Sequence, residues 1–389
     1  MFSSRTQWNF QPNPLTKLLE QMRSRGERVI DLTESNPTHC GLQNDLSPFV
    51  EALSQDAAHI YSPDPKGLNV ARSAVQKFYK GLGMNIESSQ VVVTASTSEA
   101  YSFLFRLLCN PGEKILVPKP GYPLLEYLAQ LNDVTIGFYR LIYDGEWHVD
   151  LESLKEQLGD GARILVLVHP NNPTGSWITS EELAEIRTIA KRHSLAIISD
   201  EVFGAFSFGE NSRRAPSFAQ EQSVLAFTLN GLSKLLALPQ LKLSWVVVNG
   251  PPAERSGALQ RLEVIADTYL SVNTPLQQAL PKLLESAGSM TSRIVKRARG
   301  NLDILRQVFS PPSAVSVLRC DGGWNAILQF PRTKSDEEWA LELLKSKGVL
   351  VHPGHLFDMQ QEACLVVSLL PEDTIYRDAV SRMEALLRA

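Results

Sequence analysis

The sequence predicts an α/β fold, with a mainly parallel sheet sandwiched between helices and a smaller α+β domain after it. Short apolar runs rich in β-branched residues alternate with helical patterns over roughly residues 46 to 280. The chain has 389 residues, more than one hydrophobic core usually serves, and 43% of them are hydrophobic. We therefore expect two domains around a large buried core.

Six apolar runs bounded by turn residues are the predicted strands of the large domain. In chain order they read QVVVTA, EKILVP, RILVLV, LAIIS, SVLAFTL and LSWVVV. Helical patterns such as STSEAYSFLFRLLC and ITSEELAEIRTIAKRH lie between them. Strands that alternate with helices of this length indicate βαβ units, whose parallel sheet is buried on both faces.

After VNTPLQQAL the pattern changes to a long helical stretch and then to separated strands and helices. VSVLRC, WNAILQF, VLVHP and CLVVSL are predicted strands, SDEEWALELLKSKG is a predicted helix, and another helix ends the chain. We predict three parts: an arm at residues 1–45 that packs on the small domain, a large domain at 46–285, and a small C-terminal domain at 286–389.

Charge and cysteine content exclude several functions. The net charge is -4 and basic residues are scattered, so the chain has no electrostatic footprint for nucleic acid or an anionic membrane. Cys40, Cys109, Cys320 and Cys364 lack the spacing of zinc ligands, so we expect reduced, mostly buried thiols and no metal site. Without an apolar leader or an 18-residue apolar segment, we expect a soluble cytoplasmic protein.

Ligands of open parallel sheets bind at the carboxyl ends of strands, and the first loop there could bind phosphate. Ser96, Thr97 and Ser98 open a helix after VVVTA, and free N–H groups at a helix start, with hydroxyls beside them, suit an anion. An ordinary capping box between Ser96 and Glu99 explains the same residues, so both interpretations stay open.

The next two loops offer polar side chains beside turn formers. VHPNNPTG follows the third predicted strand, and an asparagine held by a following proline can donate to a ligand oxygen, which makes Asn172 a candidate. A plain turn is the alternative. In AIISDEVFG, a strand ends in Asp200 and Glu201. Such acidic residues usually face solvent or cap the next helix. The functional alternative is a carboxylate that pairs with a buried cation such as a protonated ring nitrogen.

The fourth loop, NGLSKLLALPQLKLSW, holds Lys234 and Lys242 in an apolar run. Each is either a surface lysine with a buried stem or a desolvated amine with a depressed pKa that can act as a nucleophile. Together the four loops suit one ligand with a phosphate, an oxygen that accepts a hydrogen bond, a ring cation and a carbonyl. Pyridoxal phosphate has all four groups.

The motifs resemble those of the class I and II aminotransferases, which are fold type I pyridoxal-phosphate enzymes. YSPDPKG, TASTSEA, PKPGYP, NNPTG, SDEVF, GLSKLLALP and VHPGHLF occur in that family's order and at similar separations. The resemblance implies a seven-stranded-type sheet, pyridoxal 5'-phosphate as cofactor, and ping-pong transfer of an amino group between an amino acid or amine and a 2-oxo acid. It also implies a homodimer with shared active sites.

The resemblance further implies roles for single residues. Lys234 resembles the lysine that binds the cofactor covalently and then moves the substrate proton, and Asp200 resembles the carboxylate that pairs with the ring nitrogen. Asn172 resembles the donor to the phenolic oxygen, and Tyr122 the aromatic residue that stacks on the ring. Residues that resemble phosphate ligands are Thr97, Ser98, Ser233, Lys242 and, from the partner subunit, Tyr61.

Four positions depart from the family's pattern. Gly231 replaces a serine, Lys242 replaces an arginine that forks onto the phosphate, and Phe203 replaces a tyrosine that donates to the phenolic oxygen. With Asn172 as the only evident donor, we expect the lysine–cofactor linkage to titrate with a higher pKa than in relatives that have the tyrosine.

Val366 replaces the arginine that clamps the substrate's α-carboxylate. Either another residue supplies the cation, or the anionic group sits differently, or the substrate has no α-carboxylate. Lys119, His355 and the Thr38–His39 loop are candidate replacements by position in the family alone.

Other functions remain possible at this point because one fold and cofactor serve several reactions. A substrate-carboxylate site with Val366 in place of the usual arginine is also compatible with a β-elimination carbon–sulfur lyase. A pyridoxal-phosphate-binding regulatory domain is less favoured, because only about 45 residues without basic clustering precede the large domain. A cofactor-binding protein without turnover is the remaining alternative.

Overall fold

Strands and helices alternate through the middle of the chain in the computed structural model, which describes residues 1–159, 161–209 and 212–388. The strands are β1 Ile30–Asp31, β2 Val91–Thr94, β3 Lys114–Lys119, β4 Thr135–Tyr143, β5 Trp147–Val149, β6 Ala162–Val168, β7 Ala196–Asp200, β8 Ala226–Gly231, β9 Ser244–Asn249, β10 Ser316–Val317, β11 Asn325–Gln329, β12 Val349–Leu350, β13 His352–Pro353 and β14 Cys364–Ser368. The helices are α1 Pro14–Ser24, α2 Ser47–Leu53, α3 Asn69–Gly81, α4 Thr97–Leu108, α5 Leu124–Leu131, α6 Leu151–Glu156, α7 Ser180–Arg192, α8 Leu232–Leu235, α9 Pro252–Tyr269, α10 Thr274–Glu285, α11 Ala287–Val308, α12 Asp336–Lys347 and α13 Asp373–Leu387.

The large sheet is mainly parallel, as predicted, and its strand order is β2-β9-β8-β7-β6-β3-β4-β5. Strands β4, β3, β6, β7 and β8 run parallel, whereas β9 is antiparallel to both β2 and β8, and β5 is antiparallel to β4. All six predicted strands lie in it. Within the described residues the sheet has eight strands rather than seven, because the three-residue strand β5 extends one edge.

Helices cover both faces of this sheet, so its central strands are buried on two sides. In β6, Ile164 and Val166 pack in a core shared with α4, α5 and α9. The alternate residues Leu165 and Leu167 pack on the opposite face in a core shared with α6 and α7. Side chains of a strand alternate between faces, so a run such as RILVLV must be apolar throughout to satisfy both cores.

The C-terminal part forms an antiparallel sheet in the order β10-β11-β14-β13, packed with α11, α12 and α13. The N-terminal arm joins it, because β1 pairs in parallel with β12 and α1 packs in the same core. These contacts are compatible with the boundaries at residues 45 and 285, which stay a prediction. Among the described residues, no helix is both long and apolar enough to span a membrane.

Candidate active site

A cavity of about 460 Å³ lies where the carboxyl ends of the large-sheet strands face the small sheet. Its volume falls in the usual range for small-molecule sites of about 300–1,000 Å³. Eight residues singled out from the sequence line it: Thr97, Ser98, Tyr122, Asn172, Asp200, Ser233, Lys234 and Lys242. They come from five separate segments that follow or end β2, β3, β6, β7 and β8, and the sheet brings those segments to one edge.

Lys234 lies in α8, the one-turn helix that directly follows β8. Its ammonium group lies 5.1 Å from the ring centroid of Trp324 and 5.7 Å from that of Phe203. Burial lowers the pKa of Lys234, and the negative charge of Asp200 opposes this shift. A lysine that loses its proton more easily is a better nucleophile and base, so the surroundings favour a chemical role over a surface role.

Asp200 ends β7 with its carboxylate in the cavity. It accepts hydrogen bonds from the hydroxyl of Tyr101 at 3.0 Å and from the backbone N–H of Val202 at 3.2 Å. Burial nevertheless raises the pKa of Asp200, because these bonds and the charge of Lys234 only partly offset desolvation. A cation bound beside it would keep the carboxylate ionised.

The neighbouring Glu201 points away from the cavity. Its carboxylate accepts from Ser199 at 3.0 Å, from Ser217 at 2.6 Å and from the backbone N–H of Phe218 at 2.9 Å. The acidic pair in SDEVF therefore divides into one carboxylate in the cavity and one structural carboxylate. Across the described chain, no group of three or more acidic, His or Cys side chains could hold a metal ion.

The side chains of the two asparagines of NNPTG also point to different surroundings. Asn171 is turned into its own loop, where its side-chain oxygen accepts from the Thr174 hydroxyl at 3.0 Å. Asn172 lines the cavity, and its Oδ1 accepts from Nδ2 of Asn325 at 2.7 Å. Because its oxygen is engaged, Asn172 presents its NH₂ group as a donor. No local pattern in the sequence identifies Asn325, which starts β11 and reaches Asn172 only through the fold.

The start of α4 has a capping serine and two further hydroxyls that line the cavity. Ser96 caps the helix by accepting from the N–H of Glu99 at 3.1 Å, and the Glu99 carboxylate accepts from the N–H of Ala95 at 2.7 Å. Thr97 and Ser98 in the first turn line the cavity. Ser96 therefore caps the helix, but the Glu99 carboxylate bonds the residue before the cap, so the predicted capping box is only half formed. The next two hydroxyls remain at a site that suits an anion.

Lys242 and Ser244 lie across from this helix start. Ser244 pairs with Thr94 in the antiparallel β2–β9 ladder. Lys242 precedes Ser244 by two residues and Ser96 follows Thr94 by two residues, so Lys242 and Ser96 lie at the same end of the ladder. Lys242 has left-handed backbone geometry, with φ at 55°, and lines the cavity. A permanent cation beside a helix N-terminus further favours a phosphate group.

The packing explains why Gly231 replaces a serine. A Cβ at Gly231 would lie 2.5 Å from Cβ of Ser244, its partner across the β8–β9 ladder. Side chains at both positions are therefore mutually exclusive. Ser244 lines the cavity in that place, and its hydroxyl shares a hydrogen bond of 2.9 Å with that of Thr94. No local pattern in the sequence identifies Ser244, because its effect depends on strand pairing.

The two tyrosines occupy different surroundings. Tyr122 lines the cavity and is 49% exposed, a position open to a ring that stacks on it. Tyr61 is 76% exposed and lies apart from the cavity of its own chain, beside Pro63 and Leu270. Its predicted role in the site of a partner subunit stays a prediction.

None of the candidate replacements for the carboxylate clamp lines the cavity. Lys119 pairs with Asp358 at 2.9 Å, His355 contacts Asp336 at 3.1 Å, and His39 contacts Glu34 at 2.8 Å. Thr38 donates to Asn36 within its own loop. The structure directs these side chains to other partners, so it gives no support to their assignment as the missing cation.

The comparison with known families decides the assignment of the chain. A family model described as aminotransferase class I and II matches residues 27–380. The chain belongs to this family. Members of the family use pyridoxal 5'-phosphate, so the aminotransferase is a pyridoxal-phosphate-dependent transaminase.

Relatives and solved structures agree with this assignment. The aminotransferase is 26% identical over 383 residues to the glutamate-pyruvate aminotransferase AlaA of Haemophilus influenzae, covering 96% of this chain and 94% of that protein. It is 25% identical over 384 residues to an alanine aminotransferase of Mycobacterium bovis, covering 95% and 88%. Its fold matches an alanine aminotransferase structure from Pyrococcus furiosus with a TM-score of 0.91, 24% identity and full coverage of both chains.

The residues around the cavity of the aminotransferase fit the cofactor. The hydroxyls of α4 and Lys242 suit its phosphate, the Asn172 amide suits its phenolic oxygen, and the Asp200 carboxylate suits its ring nitrogen. A buried carboxylate whose pKa is raised gains most from a cationic partner, and a protonated ring nitrogen is one. These roles remain proposals for each residue.

We expect a hydroxyl added at position 203 to lower the pKa of the lysine–cofactor linkage. Phe203 lines the cavity and shares a smaller pocket with Asn172, so the Phe203→Tyr side chain can donate to the phenolic oxygen. A hydrogen bond to a charged group contributes about 1.5–3 kcal/mol, which corresponds to a midpoint roughly 1–2 pH units lower. Spectrophotometric titration of the bound cofactor measures the midpoint.

The matched control is Phe138→Tyr, because Phe138 packs under Lys119 outside the cavity. Its titration midpoint should equal that of the wild type. An unchanged midpoint in Phe203→Tyr would refute the idea that the missing donor matters.

Proposed function

We propose that this aminotransferase transfers the amino group of an amino acid to a 2-oxo acid in two half-reactions, with alanine and glutamate as the first donors to test. The observation that carries the proposal is the cavity, where a desolvated lysine, a buried carboxylate and an asparagine donor converge. The donors come from two relatives whose names are glutamate-pyruvate aminotransferase and alanine aminotransferase.

When bound, pyridoxal phosphate supplies an electron-withdrawing ring that stabilises negative charge on the substrate carbon. Lys234 would hold the cofactor as a nucleophile, and its amine would also serve as the base that moves a proton away from the substrate α-carbon. Asp200 keeps a positive charge at the ring nitrogen, while Asn172 orients the ring through its donated N–H. Trp324, Phe203 and Phe357 form apolar walls that exclude water.

A panel of amino acids and simple amines added to the holoenzyme tests this proposal. We expect the absorbance of the lysine-bound cofactor to fall and pyridoxamine phosphate to form in a single turnover with alanine or glutamate, because no oxo acid is needed for the first half-reaction. Pyruvate should then restore the starting spectrum. Release of pyruvate and ammonia without an acceptor would instead indicate β-elimination, an alternative that no relative named above supports.

We also propose that the protein is a cytoplasmic homodimer. Ile60 and Tyr61 are 64% and 76% exposed, and Val264 and Leu270 add exposed apolar surface at 69% and 53%. Tyr61 and Leu270 line one surface depression. Exposed apolar side chains there favour a protein interface, and such an interface would bring Tyr61 to a partner. A sedimentation-velocity mass equal to one chain at micromolar concentration would contradict the dimer.

A further inference from the structure

An amino-acid donor carries a carboxylate, and the cavity needs a positive group or hydrogen-bond donors to hold it. Among the described lining residues, those able to carry a positive charge are Lys234, Lys242 and His352. Lys234 is assigned to covalent chemistry, and Lys242 lies at the anion-binding start of α4. His352 is the remaining cation-capable side chain, and nothing so far gives it a role.

Strand pairing places His352 directly beside position 366. In the small sheet, Val366 of β14 pairs with His352 of β13 on one side and with Ile327 of β11 on the other. Directly paired residues point to the same face, with Cβ atoms about 4.5–5.5 Å apart. Val366 is fully buried and does not line the cavity, whereas His352 does.

The same face of the small sheet supplies a second polar group. Asn325 lies two residues before Ile327 in β11, so its side chain also points to this face, and it lines the cavity. Asn325 donates to Asn172 at 2.7 Å, which connects this face to the predicted cofactor site. His352 and Asn325 thus line the same cavity from the two strands that flank β14.

We propose that His352 binds the carboxylate of the amino donor and takes the part that a cationic side chain at position 366 would otherwise play. The proposal rests on the proposed function, since it assumes a donor that carries a carboxylate. The imidazole of His352 on β13 lines the cavity, whereas the apolar side chain of Val366 on β14 offers no hydrogen-bond donor. Val366 is buried beside His352 on the neighbouring strand.

The surroundings of His352 couple carboxylate binding to a proton. Burial lowers the pKa of His352, and the nearby Asp31 of β1 opposes this shift. Phe357 stacks edge-on against the ring, with centroids 5.6 Å apart, and on α12 the carboxylate of Asp336 is bonded to His355. The lowered pKa favours the neutral form of His352, and an arriving carboxylate favours its protonation.

The test compares two donors of similar shape on the holoenzyme. L-Alanine and isopropylamine differ by a carboxylate in place of a methyl group. In His352→Ala we expect the ratio of kcat/KM for L-alanine to that for isopropylamine to fall at least about tenfold, because a hydrogen bond to a charged group is lost. The loss should lie mainly in KM for L-alanine. An unchanged ratio would overturn the proposal.

A second variant tests the position rather than the residue. His352→Ala empties the space beside Val366, so adding Val366→Arg places a guanidinium there without crowding the core. The double variant should regain at least part of the lost preference for L-alanine. His352→Gln keeps a hydrogen-bond donor but cannot be charged, and it replaces His352→Ala in the test if that variant fails to fold. If His352→Gln kept the wild-type preference for L-alanine at both low and high pH, the proposal would be overturned.

The pH dependence gives an independent readout. KM for pyruvate in the second half-reaction should rise with pH in the wild type, because pyruvate stays anionic while His352 loses its proton, and His352→Gln should remove this rise. Binding of 2-aminoisobutyrate, which has no α-hydrogen to transfer, can be followed from the cofactor absorbance without turnover. If the wild type forms no pyridoxamine phosphate with any donor, the proposed function fails. The role of His352 is refuted separately, by equal binding of 2-aminoisobutyrate to the wild type and to His352→Ala.

Discussion

Lys234→Ala should lower kcat for transamination by about 10⁴-fold or more, the largest loss expected of any single change. Acid–base catalysis by a positioned side chain contributes about 10²–10⁴-fold, and Lys234 is expected to act as nucleophile as well. Its buried position, with a lowered pKa and aromatic rings around it, suits both tasks. Steady-state kinetics with saturating cofactor measures kcat, and circular dichroism confirms the fold.

Two further variants separate chemistry from charge. Lys234→Arg keeps a cation but cannot lose its proton, so it should be as inactive as Lys234→Ala. Lys155→Ala is the matched control, because Lys155 is a surface residue paired with Glu152 and should retain wild-type kinetics. More than a hundredth of the wild-type activity in Lys234→Arg would mean that Lys234 acts only as a charge.

Asp200→Asn should cause the second largest loss, about 10²–10³-fold in kcat/KM. This is the range for removing one preorganised electrostatic group at a site where charge develops. Asparagine keeps the shape. Its one oxygen can still accept from the backbone N–H of Val202 while its NH₂ group donates to the Tyr101 hydroxyl, so the change removes mainly the negative charge. The absorbance of the bound cofactor provides a second measurement, because its ring nitrogen should lose its proton in the variant.

The adjacent carboxylate supplies a matched control. Glu201→Gln should leave kcat/KM near the wild-type value but lower the free energy of unfolding by about 1–3 kcal/mol, since an amide cannot accept from all three donors that surround Glu201. Kinetics and urea unfolding of both variants give the comparison. A kinetic loss in Glu201→Gln as large as that in Asp200→Asn would contradict the division of roles between them.

The strands that the sequence predicted are those with one unambiguous pattern. RILVLV and LSWVVV are buried on both faces and are apolar at nearly every position, so no tertiary information was needed. Strand β4 was missed because it lies near the sheet edge and alternates buried with exposed residues, including Gly137 and Arg140. Its sequence does not distinguish an edge strand from a loop.

Most of the predicted site residues converge in one cavity because they sit at strand ends. A strand end is a local feature of the sequence, and parallel packing brings such ends together whatever the separation along the chain. The family resemblance then attached roles to Lys234, Asp200 and Asn172, and these roles stay predictions until the variants are measured.

The sequence by itself determined the α/β architecture and the loops that carry the chemistry, because apolar periodicity and turn residues are local properties. Only the tertiary structure decided which neighbour in each polar pair faces the cavity, Asp200 rather than Glu201 and Asn172 rather than Asn171. It also added Ser244, Asn325 and His352, whose importance comes from pairing across strands distant in the chain. Strand register fixes such contacts, and no local pattern encodes it.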